Sequence, residues 1–129
     1  MNNKLKEQIQ PYWVEEQGGV YIPLIDKVLL KDNVPAMSYY NYMEYAKTNR
    51  VQIATRDELL QMYLQKNQID KILKEHNGDT LTFDCFNSSS EFNSLYVWFV
   101  YFDIGYCHYS NKSYPSVSRA VVDLKSKNK

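Results

Sequence analysis

Three consecutive serines followed by an acid, Ser88-Ser89-Ser90-Glu91, are the residues best suited to covalent chemistry in this chain. A serine nucleophile needs a base within hydrogen-bond reach and a third group to orient that base. The sequence offers two histidines. His76 falls near the end of a helical segment and His108 lies in a tyrosine-rich strand or loop. Neither stands in a recognisable catalytic setting, so the serine run is expected to be a turn whose hydroxyls bond backbone groups.

The other reactive groups point to no active centre. Cys85 and Cys107 match no zinc spacing, because no second Cys or His pair accompanies them. Two cysteines are too few for a disulfide scaffold, and reduced, buried thiols are expected. Asp84, Glu91, Asn93 and Asp103 offer oxygens for calcium, which needs six to eight. Acids in turns are common without a metal, and no metal or cofactor is expected.

Charge and composition narrow the partners. The 129 residues carry 15 basic and 15 acidic side chains, so no net field draws the chain to nucleic acid or a membrane surface. No run approaches the ~20 apolar residues that span a bilayer, and the first residues lack the apolar stretch of a secretory signal. Twelve tyrosines raise the aromatic share to 15%. Tyrosine serves cores and contact surfaces alike, because its ring covers area at low entropic cost.

The elements that must position these residues follow from periodicity. Residues 1–17 read as an N-terminal arm, 18–124 as the folded domain and 125–129 as a charged tail. Strands are expected at 18–24 and 27–31, joined by a tight turn at Ile25 and Asp26. Ser38 is placed to cap a helix in which Tyr39, Tyr42, Met43 and Ala46 line one face, leaving Tyr40 and Tyr45 off that stripe and exposed. Thr55 and Glu58 form a capping box at the start of a second helix. A third would be capped by Asn67, face inward through Ile69, Ile72 and Leu73, and end at a left-handed Gly78. After Thr80 the helical period gives way to strands at 81–86, 96–102, 105–110 and 116–124. Tyr96 to Phe102 is apolar or aromatic throughout and reads as a central strand covered on both faces, with Trp98 inside.

These segments, in this order, resemble the C-type-lectin-like fold, in the branch that includes formylglycine-generating enzymes and small bacterial and phage domains of Fib-succ-major/Lcl type. The likeness runs from about Gly19 to Leu124. It rests on "EYA" (Glu44 to Ala46), "IATRDEL" (Ile53 to Leu59), "FNSSSE" (Phe86 to Glu91), "VWFV" (Val97 to Val100), "DIG" (Asp103 to Gly105) and "SRAV" (Ser118 to Val121). Ala54 stands where the family has Pro, Asn87 where it has Trp, and Asp-Ile-Gly where it has an Asp/Asn-Gly turn. The resemblance implies an α+β fold with two or three short helices on a twisted, mainly antiparallel sheet. It also implies structural roles for Thr55, Glu58, Ser88, Ser89, Ser90, Glu91, Trp98 and Arg119, with Arg119 the candidate partner of Glu91.

The oxidase chemistry of formylglycine generators requires two closely spaced late cysteines, and the calcium motifs of sugar-binding lectins have no counterpart here, so the resemblance implies no enzyme activity. It implies a binding or assembly module, foremost a virion component assembled in a host cytoplasm: a capsid decoration, fibre or tail protein within a larger assembly or homo-oligomer. The alternative is a bacterial adhesin or carbohydrate-binding module. Partners would be other virion or surface proteins, or a host glycan, without nucleic acid or membrane insertion. Candidate contact residues are Tyr106, His108, Tyr109, Asn111 and Tyr114, which a solvated hairpin would explain equally well. Tyr12 and Trp13 are further candidates, as anchors on a neighbour or packed on their own domain.

Overall fold

A computed structural model describes residues 10–82 and 84–125. The expected arm over residues 1–9, Phe83 and the tail over 126–129 lie outside the described residues. The chain forms an α+β fold in which, among the described residues, three helices pack on one mainly antiparallel sheet of eight strands. No described helix is long and apolar enough to cross a membrane.

The strands are β1 (Tyr12–Val14), β2 (Gly19–Ile22), β3 (Lys27–Met37), β4 (Gln52–Ile53), β5 (Cys85–Glu91), β6 (Tyr96–Tyr101), β7 (Tyr106–Asn111) and β8 (Ser116–Val122). Their spatial order is β1-β2-β3-β8-β5-β6-β7, with β4 paired to β8 off that path. The last strand therefore runs through the middle, antiparallel to β3 and parallel to β5. Part of the expected arm belongs to the sheet, because β1 pairs with β2 and is followed by a short 3-10 turn at Glu15–Gln17. β3 extends six residues past the expected end at Lys31, bending through two register shifts against β8.

Helix α1 is Tyr39–Asn49, α2 is Arg56–Leu64 and α3 is Lys66–Glu75. Ser38 accepts from the Asn41 amide and caps α1. The reciprocal Thr55–Glu58 bonds of 3.1 and 3.0 Å form the expected capping box of α2. Two other helix-end expectations are corrected. α3 follows α2 almost without a break, so its N-cap is Gln65 and Asn67 lies inside the helix. Its C-terminal stop puts Asn77, not Gly78, in the left-handed region (φ 59°). Gly78 then donates to the Leu73 carbonyl at 2.8 Å and Asn77 to that of Lys74 at 3.3 Å, the paired bonds of a Schellman stop.

Successive strand residues face opposite sides, so neighbouring Ala120 and Val121 on β8 mark the two faces of the sheet. Val121 packs with Leu59 and Met62 of α2, Ile69 and Leu73 of α3, and Phe86, Val100 and Phe102. Ala120 packs with Tyr42 and Ala46 of α1, Val34 and Ile53. Tyr45 leans into this second cluster and is half-buried rather than exposed, whereas Tyr40 is exposed as expected. Thus α1 covers one face, and α2 with α3 covers the other.

Arg119 of β8 is fully buried. Its guanidinium donates to the Leu30 carbonyl at 2.8 Å, the Asp79 carbonyl at 2.7 Å and Asn33 Oδ1 at 3.2 Å. Burial pulls its pKa down to about 10, partly opposed by Asp79 and Asp70, so it stays charged at neutral pH. Arg119→Met would leave these buried acceptors unpaired and is expected to cost ~3–5 kcal/mol. Urea unfolding checks this; a loss below about 1 kcal/mol would contradict the role.

Candidate functional site

The serine run does not form the expected turn. Ser88 to Ser90 lie within β5, where the register against β6 shifts between Asn87 and Glu91. The shift breaks the regular ladder, and the hydroxyls take up the backbone groups around it. Ser88 Oγ accepts from the Ser90 amide at 3.0 Å and donates to the Trp98 carbonyl at 2.8 Å. Ser89 Oγ donates to the Ile53 carbonyl at 2.9 Å. Ser90 Oγ accepts from the Arg56 amide at 2.9 Å, one of the donors left free at the start of α2. The hydroxyls thus bond backbone as expected. The turn itself comes later, at residues 92–95, where Asn93 Oδ1 accepts from the amides of Leu95 and Tyr96.

The histidines are engaged away from these serines. His76 stacks on Trp13 with ring centroids 3.8 Å apart. His108 lies on β7 with Nδ1 3.2 Å from the Tyr109 carbonyl oxygen. Cys85 and Cys107 are unpaired, on strands separated by β6. Cys85 is exposed, contrary to expectation, because its partner residue Tyr101 lies on the open side of β6. Although exposed, Cys85 is partly desolvated by the surrounding chain, which with the Asp84 charge pushes its thiol up to about 11. Among the described residues, no group of His, Cys, Asp or Glu is placed to hold a metal ion.

The expected Glu91–Arg119 contact does not form, because Arg119 points toward β3 and the loop after α3. Glu91 is instead exposed, accepts from Tyr39 Oη at 2.7 Å and lies 3.5 Å from Lys112 Nζ. Lys112 is buried, with its ammonium 4.8 Å from the centre of the Tyr39 ring. Burial first, then Glu91, pushes the Tyr39 phenol up to about 12. The bond from Tyr39 and the Lys112 charge hold Glu91 below the ordinary glutamate value. Nothing in the sequence marked Lys112, which sits in a polar turn that reads as solvated.

The aromatic candidates separate into three groups. Tyr12 is exposed on β1, and Trp13 beside it packs on its own domain through His76. Both lie at the opposite edge of the sheet from β7. Tyr106 and His108 share one face of β7, are exposed, and hold their rings within 11° of parallel. Tyr109 and Asn111 fall on the other face. Tyr109 stacks on Phe92 at 4.2 Å, and Asn111 Oδ1 accepts from the Ser113 amide and hydroxyl. Tyr114 is 66% exposed in the turn after β7.

β6 is not covered on both faces. Val100 and Phe102 belong to the α2–α3 core, and Trp98 on that face is half-buried beneath the Arg56 guanidinium at 4.7 Å. On the α1 side Val97 is buried, but Phe99 is half-buried and Tyr101 exposed, because α1 packs over β3, β4 and β8. Eleven large apolar side chains are exposed among the described residues. Six of them, Phe92, Leu95, Tyr101, Ile104, Tyr106 and Tyr114, lie in or beside the β6–β7 hairpin. Sequence reasoning missed the first four; its only signal was that short helices cannot cover two faces of so wide a sheet.

A cleft of about 660 Å³ opens beside α1 and β4, lined in part by Lys27, Tyr39, Tyr40, Gln52 and Glu58. Two of its charged groups pair with each other: Lys27 Nζ lies 2.7 Å from Glu58 and also donates to Gln52 Oε1 at 2.6 Å. The exposed apolar hairpin, with six exposed large apolar side chains in or beside it, is the candidate site taken up below.

No protein-family model matches this chain, and no curated protein matches it.

Because Glu91 is held below its ordinary value, its contact with Tyr39 contributes above the normal glutamate range and is lost as pH falls through the lowered value. A side-chain NMR titration is expected to place the Glu91 midpoint below that of a model glutamate, and Tyr39→Phe to move it back up. An unshifted wild-type midpoint would contradict the contact.

Proposed function

We propose that this chain is a non-catalytic binding or assembly module whose docking surface is the β6–β7 end of the sheet. The observation that carries this reading is that six of the eleven exposed large apolar side chains lie in or beside that hairpin, three around its turn and three at its far end. Apolar groups scattered singly are ordinary on a protein surface, whereas their concentration on one hairpin points to an interaction site. Tyrosines at such a site add rigid contact area at low entropic cost. The engagement of the serine hydroxyls with backbone supports the non-catalytic part of the reading.

The finer fold reading we propose is C-type-lectin-like. What supports it, beside the sequence resemblance, is the return of the last strand to the middle of the sheet, next to β3 near the chain start, with the helices between β3 and β5. The same resemblance, to short phage-encoded domains, favours a virion component as the assembly. The near-parallel rings of Tyr106 and His108 favour a second reading, an adhesin or carbohydrate-binding module in which sugar rings stack on them.

Mass spectrometry of purified particles is expected to find the chain at the level of other structural proteins. The Tyr106→Ser/Tyr114→Ser variant, with unchanged thermal unfolding, is expected to be depleted at least about tenfold, as loss of interface anchors predicts. Absence of the natural chain from particles would overturn the virion assignment, and full retention of the variant would overturn the docking surface.

A further inference from the structure

Among the described residues β7 ends the sheet and pairs on one side only, with β6. The Lys112 amide donates to the Leu95 carbonyl at 3.0 Å, which fixes the alternation of the antiparallel ladder. In that register Tyr106, His108 and Ser110 exchange bonds with β6, and the amides of Cys107, Tyr109 and Asn111 face outward from the edge. The carbonyls of Tyr109 and Asn111 each take one local donor, from His108 and Tyr114, and a carbonyl has room for a second.

Proteins usually guard such edges with charge, proline or short length. The opposite edge of this sheet is guarded chiefly by length, since β1 has only three residues and Pro11 stands before it. β7 has six residues, "YCHYSN", with no Lys, Arg, Asp, Glu or Pro among them; Lys112 follows, but its ammonium lies against Glu91 and the Tyr39 ring, and Pro115 lies beyond the turn. The contrast between the two edges of one sheet singles out β7 as the edge left open to pairing.

We propose that β7 pairs antiparallel with β7 of a second copy of this chain about a two-fold axis, joining the two sheets edge to edge. A second copy fits this edge for three reasons. Identical antiparallel strands present the same spacing of donors and acceptors to each other, which is the condition for a closed two-fold contact. The strand carries no formal charge and the whole chain balances 15 basic against 15 acidic residues, so no repulsion opposes the approach. A strongly charged partner would find no counter-charge along the strand. Exposed Tyr101, Ile104 and Tyr106 lie next to the edge and extend the contact beyond the backbone. The pairing rests on the proposed docking reading only in using the same end of the sheet.

Sedimentation velocity of the full chain is the test. The natural protein is expected to sediment as a dimer at about 50 µM and to dissociate on dilution. His108→Lys places a charge on an exposed position of the strand and is expected to weaken the dimer at least about tenfold, as edge lysines do. Tyr12→Lys, at the guarded edge, is expected to leave it intact. Should His108→Lys fail to fold, Tyr106→Lys makes the same test. A monomeric natural protein, or a dimer that survives His108→Lys or is broken by Tyr12→Lys, overturns the pairing. A monomer leaves the docking surface to be judged separately by the particle measurement.

Discussion

The fold depends on one buried cation. Arg119 enters from β8, the strand at the middle of the sheet, and donates to two backbone carbonyls and one side-chain oxygen. Those acceptors belong to β3 and to the loop after α3, and the Phe86 ring of β5 lies 5.8 Å from the guanidinium carbon. A buried charge is costly unless its hydrogen bonds are met; here both terminal nitrogens are met, and the buried Nε is left without an acceptor among the described residues. The positions of β3, β8, β5 and the α3 loop are thus tied together by a group that tolerates little displacement. Asp70 of α3 steadies the same loop by accepting from the amides of Leu81 and Thr82 and from the Thr82 hydroxyl.

From that centre, coverage falls away toward β7. The α2–α3 face is filled as far as Phe102, with Tyr63 of α2 edge-on to it at 6.0 Å. Tyr63 also presses on the β6–β7 turn, where Gly105 adopts φ 72° and an added Cβ would sit 2.7 Å from the Tyr63 ring. Only glycine meets both conditions. The other face lacks an equivalent cover beyond α1. The hairpin is consequently held from one side and open on the other, so an apolar surface can be displayed without loosening the core.

Local signals were legible in the sequence, and long-range partners were not. The Ser38 cap, the Thr55–Glu58 box and the inward stripe of Tyr42 and Ala46 each depend on residues within about two turns, and the structure contains them all. Asn67 and Gly78 looked like helix ends by residue type, but the abutment of α2 on α3 and the left-handed Asn77 moved both ends. The family pattern alone pairs Glu91 with Arg119, and it misleads. The actual neighbours of Glu91, Tyr39 and Lys112, come from α1 and the turn after β7, which no spacing rule joins. The Tyr96–Phe102 run is as apolar as a strand buried on both sides, yet its second face opens because strand order decides coverage, and strand order is set by long-range pairing.

Residue-resolved amide hydrogen exchange tests the central claim most directly, because protection reports the free energy of local opening. The amides of β8 and of β3 opposite Arg119 are expected to exchange only through global unfolding, and those of β1 much faster. Exchange of the β8 amides as rapid as that of β1 would contradict the anchoring role of Arg119.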